Sequence, residues 1–471
     1  MSAALELAQR AVEEARGDAL AYVVQERSLM LRFADGRPTQ ATSIDDVSVE
    51  LALARDGRVG RASTNSASAE SLRECARRAE AAAEAAAASS RGGVHPGFGG
   101  GAAPATGRSG GGQERPARGG AAPASSGHDE ATAALDPSAG GAALRAAFAV
   151  AARQGLSAHG IWTTGEQERA FATSSGESGL DRSTDAFMKV ICMAPDGRSG
   201  YASGTAVAVA SLDPERLAER AAAKALAPGE PAELPPGEYP VVMEPHAVGW
   251  LLDLLGETAL DGLAHAEGRG ALNGRLGHSV TAPSINLADS PGASSTLPRA
   301  FDAEGVPKRP MPLIQDGVAK AVVHDRHSAA LAGTESTGHA TAPGGHQQGP
   351  RPVNLVLAGG GAAGVEELCA PVERGIYVTR LWYANVVRPR ETLITAVTRD
   401  GTFLIEDGRV TRPLRDLRVT DSVLRILSRA SDLTARQELT SDGEFYGRRF
   451  AYGVVCPGMR ASAVRFTGAA G

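Results

Sequence analysis

At 471 residues and 48.2 kDa, with 42% hydrophobic residues, the chain is long enough for two or three domains with ordinary cores. Its 57 glycines and 27 prolines concentrate in one stretch without a period, which excludes a collagen-like or wholly disordered chain. A formal net charge of -6 with no long Lys/Arg block leaves no electrostatic footprint for nucleic acid, and the four cysteines (Cys75, Cys192, Cys369, Cys456) lie too far apart for a CxxC motif or a disulfide framework.

The opening segment MSAALELAQRAVEEARGD sets Leu5, Ala8, Val12 and Ala15 at helical spacing, and its interleaved acidic residues argue against a transit peptide. No run approaches the roughly 18 apolar residues that span a bilayer, so a soluble cytoplasmic protein is expected. LAYVVQ, SLMLRFA and DVSVELALARDGRVGRAST then alternate apolar and polar residues, with Asp56-Gly57 suited to a tight hairpin turn. Ser68 reads as the N-cap of a helix whose Leu72, Cys75, Ala76 and Ala79 form an apolar stripe.

Residues 91–140 carry almost no large apolar side chain and are expected to be a flexible Gly/Ala/Pro-rich insertion. Its GRSGG matches the nucleophile-elbow pattern around Ser109, but without the strand before and helix after that the motif needs, chance repetition is the better reading. A helix from GGAALRAAFAVAARQG, two hairpin-like stretches to about residue 205 and a helix over 211–227 follow, and the Pro-rich LAPGEPAELPPGEYP marks a boundary. From 280 onward strand signals dominate, with turns at Asp400-Gly401 and Asp407-Gly408. The expected architecture is α+β: an N-terminal mixed domain with an antiparallel sheet and flanking helices (1–90, continued at 141–230), and a C-terminal β-rich domain with a few helices (231–471).

Several stretches invite chemistry. EPHAVGWLLDLLGETALDGLAHAEG reads as one amphipathic helix, on which Glu257 and His265 are two turns apart, His265 and Glu267 point to different faces, and His278 lies beyond the end. A helical zinc site needs ligands one turn apart, so no ligand pair forms there. His324 and His327 in HDRHS could chelate if helical, against the commoner reading of a solvated loop. Asp302 and Glu304 in FDAEGVP share a face if extended, which suits acid/base work, while a turn before Gly305 and Pro307 explains them equally. Gly359, Gly361 and Gly364 spell GxGxxG between a strand and a helix, yet no ribose-binding acid or βαβ alternation follows, and no Lys-Ser/Thr completes a P-loop; a mobile glycine loop is the alternative. Cys456 sits in an apolar strand, where a lone cysteine is usually a small core residue.

Taken together, RFADGRPTQATSIDDVSVELALARDGRVGRASTNSASAESL, GEYPVVMEPHAVGWLL, FDAEGVP, GVAKAVVHDRHSAAL, STGHA, VNLVLAGG and the long ungapped ERGIYVTRLWYANVVRPRETLITAVTRDGTFLIEDGRVTRPLRDLRVTDSVL resemble the TldD/PmbA metallopeptidase family over nearly all of the chain except 91–140. The resemblance implies a heterodimer of two similar subunits, a TldD type binding zinc through an HExxxH helix and a later cysteine, and a TldE (PmbA) type lacking that motif. This chain has GETALDGLA before EGRGALNGRLG, where the motif is expected, and so resembles the TldE type. No metal ligand is carried over, Cys456 included, no cofactor is expected in this chain, and zinc is expected in a TldD-like partner. The family also implies a tunnel admitting small or unfolded peptides, bound by main-chain hydrogen bonds. The positions in the matched motifs that such contacts with peptide or partner would use are Asp302, Glu304, Gly305, Asp325, Thr337, Gly338, Arg380 and Tyr383. An autonomous hydrolase built on His324, His327 and a nearby carboxylate, or a non-enzymatic peptide-binding scaffold, are the competing readings.

Overall fold

The structure is a computed structural model that describes residues 2–87, 94–99, 127–442 and 448–469. Its first half comprises α1 (Ala3–Glu13), β1 (Asp18–Ala34), β2 (Arg37–Arg55), β3 (Arg58–Thr64), α2 (Ala69–Ala87), α3 (Glu130–Ala133), α4 (Pro137–Arg153), β4 (Ser157–Thr173), β5 (Ser178–Met193), β6 (Ser199–Ala206) and α5 (Pro214–Ala225). The strands form one antiparallel sheet in the order β3-β2-β1-β4-β5-β6. LAYVVQ and SLMLRFA, read separately from the sequence, are halves of the 17-residue β1, because ladder bonds to β2 and β4 on both sides carry it through Glu26 and Arg27.

The period of two in β1 decides what each face meets. Ala19, Ala21 and Val23 pack with α1 and α2, while Leu20, Tyr22 and Val24 pack with Phe171, Phe301 and Ala340, so both faces are buried. The expected caps and turns form: the Ser71 amide donates to Ser68 Oγ at 3.2 Å, and Asp56 and Gly57 hold φ of 51° and 73° at the β2–β3 hairpin. Gly60 lets α2 lie on β3, since a Cβ there would fall 2.0 Å from the Ala83 amide nitrogen.

Much of the expected insertion, including Ser109, lies outside the described residues. Residues 94–99 and 127–140, which fall within it, are packed. Phe98 is fully buried and its amide donates to Asp18 Oδ2 at 2.8 Å, and the Asp129 side chain caps α3. A single phenylalanine in a glycine-rich stretch is invisible to a composition argument yet enough to anchor it when a matching hollow exists.

The second half contains β7 (Gly237–Met243), α6 (Pro245–Thr258), α7 (Gly262–Ala266), β8 (Leu287–Asp289), β9 (Met311–Gln315), β10 (Val318–Ala319), α8 (Arg326–Ala332), β11 (Leu355–Leu357), α9 (Val365–Cys369), β12 (Arg374–Arg388), β13 (Leu393–Glu406), β14 (Arg409–Pro413), β15 (Leu417–Ser422), α10 (Val423–Ser428), β16 (Ala430–Thr440) and β17 (Val454–Ala469). β7 pairs with β12, β12 with β13, β13 with β15, β15 with β17, and β17 returns to β7, which closes these strands into a ring. α6 packs into the same core, with Val248, Leu251, Leu252 and Leu255 fully buried.

Three expectations are corrected here. The single helix expected over the GWLLDLLGETALDGLAHA stretch is two: α6 ends at Thr258, whose hydroxyl bonds the Leu254 carbonyl, and Asp261 caps α7 by accepting from the Leu263 amide. α6 is also interior rather than amphipathic, burying residues on nearly every side. Asp400-Gly401 is no hairpin turn. It is a bulge inside β13, where the register against β12 shifts between Val378 and Arg380. Between α7 and β12 the chain is largely irregular with strands of two to five residues, because aspartates rather than ladders satisfy its backbone there.

The two halves are clamped by Arg449, which is 2% exposed. Its Nε and Nη2 donate to Asp185 Oδ1 and Oδ2 at 2.8 and 2.6 Å, Nη1 donates to Thr163 Oγ1 at 2.9 Å, and its amide donates to Glu26 Oε2 at 2.7 Å. Gly165 makes the room, since a Cβ there would lie 2.4 Å from Arg449 Nε. Replacing Arg449 with Ala strands the buried Asp185 carboxylate, the backbone bond to Glu26 being kept, and is expected to cost about 3–5 kcal/mol in chemical denaturation, whereas the double variant Arg449→Met, Asp185→Leu recovers much of that loss.

Candidate functional site

The FDAEGVP segment is a tight turn, and the structure sets it at the seam between the halves. Phe301 bridges Pro307 across it, and the Phe301 ring packs edge-on against Phe171 of β4 at 4.9 Å. Asp302 faces inward and ties the loops together: Oδ1 accepts from the Glu304 and Val306 amides at 2.9 Å each, and Oδ2 accepts from the Ala340 amide at 2.8 Å. Gly305 has φ of 72°, and a Cβ there would fall 2.5 Å from the Phe171 ring.

Glu304 is 1% exposed. Its Oε2 accepts from the Arg326 amide at 2.9 Å, and its Oε1 lies 3.4 Å from His95 Nε2. The Gly97 amide donates to His95 Nδ1 at 3.1 Å, which leaves the imidazole proton on Nε2, facing Glu304. Burial first, then the Asp325 charge, pushes the Glu304 carboxyl up to about 8, and burial with Glu304 as second cause lifts Asp302 to about 7. Burial, then Arg326, lowers His95 to about 4.

Asp325 caps α8, accepting from the Ser328 amide at 2.7 Å in a reciprocal capping box. That cap explains HDRHS: His324 precedes the helix and His327 lies within it, so they are not one helical turn apart on a shared face. His324 is buried with Nδ1 3.2 Å from Ser328 Oγ, and Thr337 Oγ1 accepts from the His324 amide at 2.7 Å. The Gly338 carbonyl accepts from Lys308 Nζ at 3.2 Å, which also lies 3.3 Å from Asp289 Oδ1 beside His339. Asp302, Glu304, Gly305, Asp325, Thr337 and Gly338 are therefore brought together, with backbone groups as their chief partners.

Arg380 and Tyr383 lie elsewhere, on β12. Arg380 is 3% exposed, pairs with Asp400 from the β13 bulge, and sits 4.4 Å over the Tyr201 ring and 4.8 Å over the Trp382 ring. Tyr201 in turn meets His246 Nε2 through its hydroxyl at 2.9 Å. Burial, then the Arg380 charge, lowers His246 to about 3. His246 lines a small cavity with Trp250, Asp253 and Tyr452, and Asp253 accepts from Arg351 Nη2 at 2.6 Å. This His246 group was not singled out from the sequence, where only its place next to Pro245 at a helix start was visible. Tyr383 is 70% exposed with φ of 47°, at the part of β12 beyond its pairing with β7.

The glycine loop is no phosphate cradle. A Cβ at Gly359 or Gly360 would fall 2.5 Å from the Ala435 or Leu433 carbonyl, so these glycines permit close packing on β16, and the Ala363 amide is taken by Glu367 Oε2 at 2.7 Å. Zinc does not fit the side chains present: among the described residues no three His, Cys, Asp or Glu converge to hold a metal ion. Glu257 and His278 are exposed, and Cys456 is fully buried with its thiol donating to the Pro245 carbonyl at 3.1 Å. No described helix is long and apolar enough to cross a membrane.

Glu304 gives a signed pH dependence. Its folded value lies above its ordinary 4.5, so the stability it contributes is complete below about pH 4.5 and is lost as pH rises through about 8. Unfolding free energy is expected to fall between about pH 5 and pH 8, and Glu304→Gln to flatten that slope in urea titrations across the range.

Models of the three PmbA/TldD domains match the chain in order: domain 1 at residues 19–83, the central domain at 129–227 and the C-terminal metallopeptidase domain at 236–468. A metalloprotease TldD homolog of Haemophilus influenzae is 26% identical over 280 residues, 58% of this chain and 52% of that protein. A zinc metalloprotease TldD homolog of Saccharolobus solfataricus is 25% identical over 203 residues, 41% of this chain and 43% of that protein. The match thus spans about half the length of these curated relatives. The crystal structure of TldE from Thermococcus kodakarensis shares the fold, with a TM-score of 0.78 at 20% identity over 98% of this chain and 99% of that one. Matched in all three of its domains, this chain belongs to the PmbA/TldD metallopeptidase family.

Proposed function

We propose that this chain is the zinc-free subunit of a cytoplasmic TldD/TldE-like heterodimeric metallopeptidase that degrades or matures small or unfolded peptides. It contributes dimer interface and part of the peptide channel, while the metal resides in a TldD-like partner. The observation that carries this reading is a mismatch: a family of metallopeptidases, and a chain whose described residues bring no three metal-competent side chains together.

Two features support the assigned share of the work. Beyond Trp382, β12 pairs among the described residues with β13 on one side only, with Tyr383 70% and Val387 50% exposed, an edge suited to pairing with another chain. The His246 cavity offers an aromatic and carboxylate wall, and His246 stays neutral at physiological pH, so it can accept or donate a hydrogen bond to a peptide without adding charge. Asp302, Glu304, Gly305, Asp325, Thr337 and Gly338 act in this reading by shaping the loops that carry the channel.

Coexpression with a zinc-bearing homologue carrying HExxxH tests the proposal: the two are expected to copurify, with zinc in the partner and peptide cleavage by the pair alone. Stoichiometric zinc and turnover in the isolated chain would sink it. In the active pair, His246→Ala is expected to raise KM for peptide about 3–10-fold with kcat and zinc content little changed, since it removes a binding contact and not the reacting group.

A further inference from the structure

A cavity of about 760 Å³ opens where α5 of the first half meets α9, β14 and β16 of the second. It shares no lining residue with the His246 cavity, and clefts between domains are favoured positions for small ligands. Part of its lining is apolar, from Tyr377, Phe403 and Val365.

Its inner charges are engaged within the protein. Glu244, 6% exposed, accepts from the Tyr377 hydroxyl at 2.6 Å and pairs with Lys224 Nζ at 2.7 Å, while Arg220 lies 3.5 Å from Glu438. Three more arginines line the cavity: Arg216 on α5, Arg409 on β14 and Arg436 on β16. Among the described residues their side chains have no hydrogen-bond or ion-pair partner, and Glu366 is the one lining carboxylate left to oppose them. The lining holds five cationic side chains against three carboxylates, in a chain of net charge -6.

We propose that this cleft binds a small organic anion, its carboxylate held by the guanidinium groups of Arg216, Arg409 and Arg436 and its apolar part resting on Tyr377 and Phe403. A planar fork of N–H donors matches a carboxylate in two-bond geometry, which suits arginine better than lysine. The aromatic lining calls for a ligand with an apolar group, so inorganic phosphate would fill only part of the site. Two sources share this chemistry: the C-terminal end of a short peptide and a free aryl or alkyl carboxylate.

The test is calorimetric titration of the full isolated chain, so it stands whether or not the peptidase partnership holds. The probes are Gly-Gly-Phe, its C-terminal amide, 3-phenylpropionate and inorganic phosphate. The free acid is expected to bind about tenfold or more tightly than the amide, and the double variant Arg216→Ala, Arg436→Ala to weaken it to a similar degree at unchanged Tm, both arginines being exposed. Comparable affinity for 3-phenylpropionate supports the carboxylate site with a free acid as its source, and weaker affinity supports it with a peptide terminus. Equal binding of acid and amide, phosphate binding as tightly as the acid, no binding of either carboxylate, or wild-type affinity in the double variant overturns the proposal.

Discussion

The bidentate pair of Arg449 with Asp185 is the constraint on which the relation between the two halves depends. A guanidinium removed from water is stable only when most of its N–H groups find acceptors, and here a single sheet face supplies them from β4 and β5, with Glu26 of β1 taking the backbone amide. That requirement fixes which face of the six-stranded sheet meets the ring. The same face carries Leu20, Tyr22 and Phe171, so the polar clamp and the apolar contact around Phe98 and Phe301 set one geometry between them.

From this seam follows the role of the conspicuous aspartates and glutamates. A carboxyl buried in a loop can replace a strand neighbour as acceptor for backbone amides, as Asp302 does for three of them and Asp289 does for Val353 and Asn354. Six of the eight positions picked out by family resemblance serve in this way or as close-approach and cap residues in the same loops. The turn reading accounts for the Asp302 contacts within FDAEGVP, whereas Glu304 reaches beyond the turn, accepting from the Arg326 amide with one oxygen and facing the His95 imidazole with the other.

The His246 cavity and the arginine-lined cleft lie on different sides of the β7–α6 junction in sequence, Glu244 belonging to one and His246 to the other. Two residues on from a strand end, a helix start turns successive side chains in different directions, and this allows one short segment to serve two surfaces. Glu244, Tyr377 and Lys224 then form a buried polar wall next to Tyr201, whose carbonyl accepts from Lys224 and whose hydroxyl meets His246.

Periodicity and capping chemistry made much of the fold legible in advance: the α+β class, the antiparallel first sheet, the helix after Ser68, the hairpins at Asp56-Gly57 and Asp407-Gly408, and the family itself all rest on local pattern. Local pattern could not reveal that Asp400-Gly401 bulges instead of turning, that α6 is buried all round, or that Phe98 anchors a glycine-rich stretch. Each of these depends on what lies across from the residue: β12 opposite β13, the strands and α10 packed against α6, a hollow beside Phe171. The chain's own order of residues determines which segments can form helices, strands and turns, because those preferences act over a few residues. Which side chains share a site was decided by tertiary structure alone: His246 and Tyr452 stand some two hundred residues apart and meet through the packing of the second half, while Arg216 and Arg436, as distant in sequence, meet only where the two halves come together.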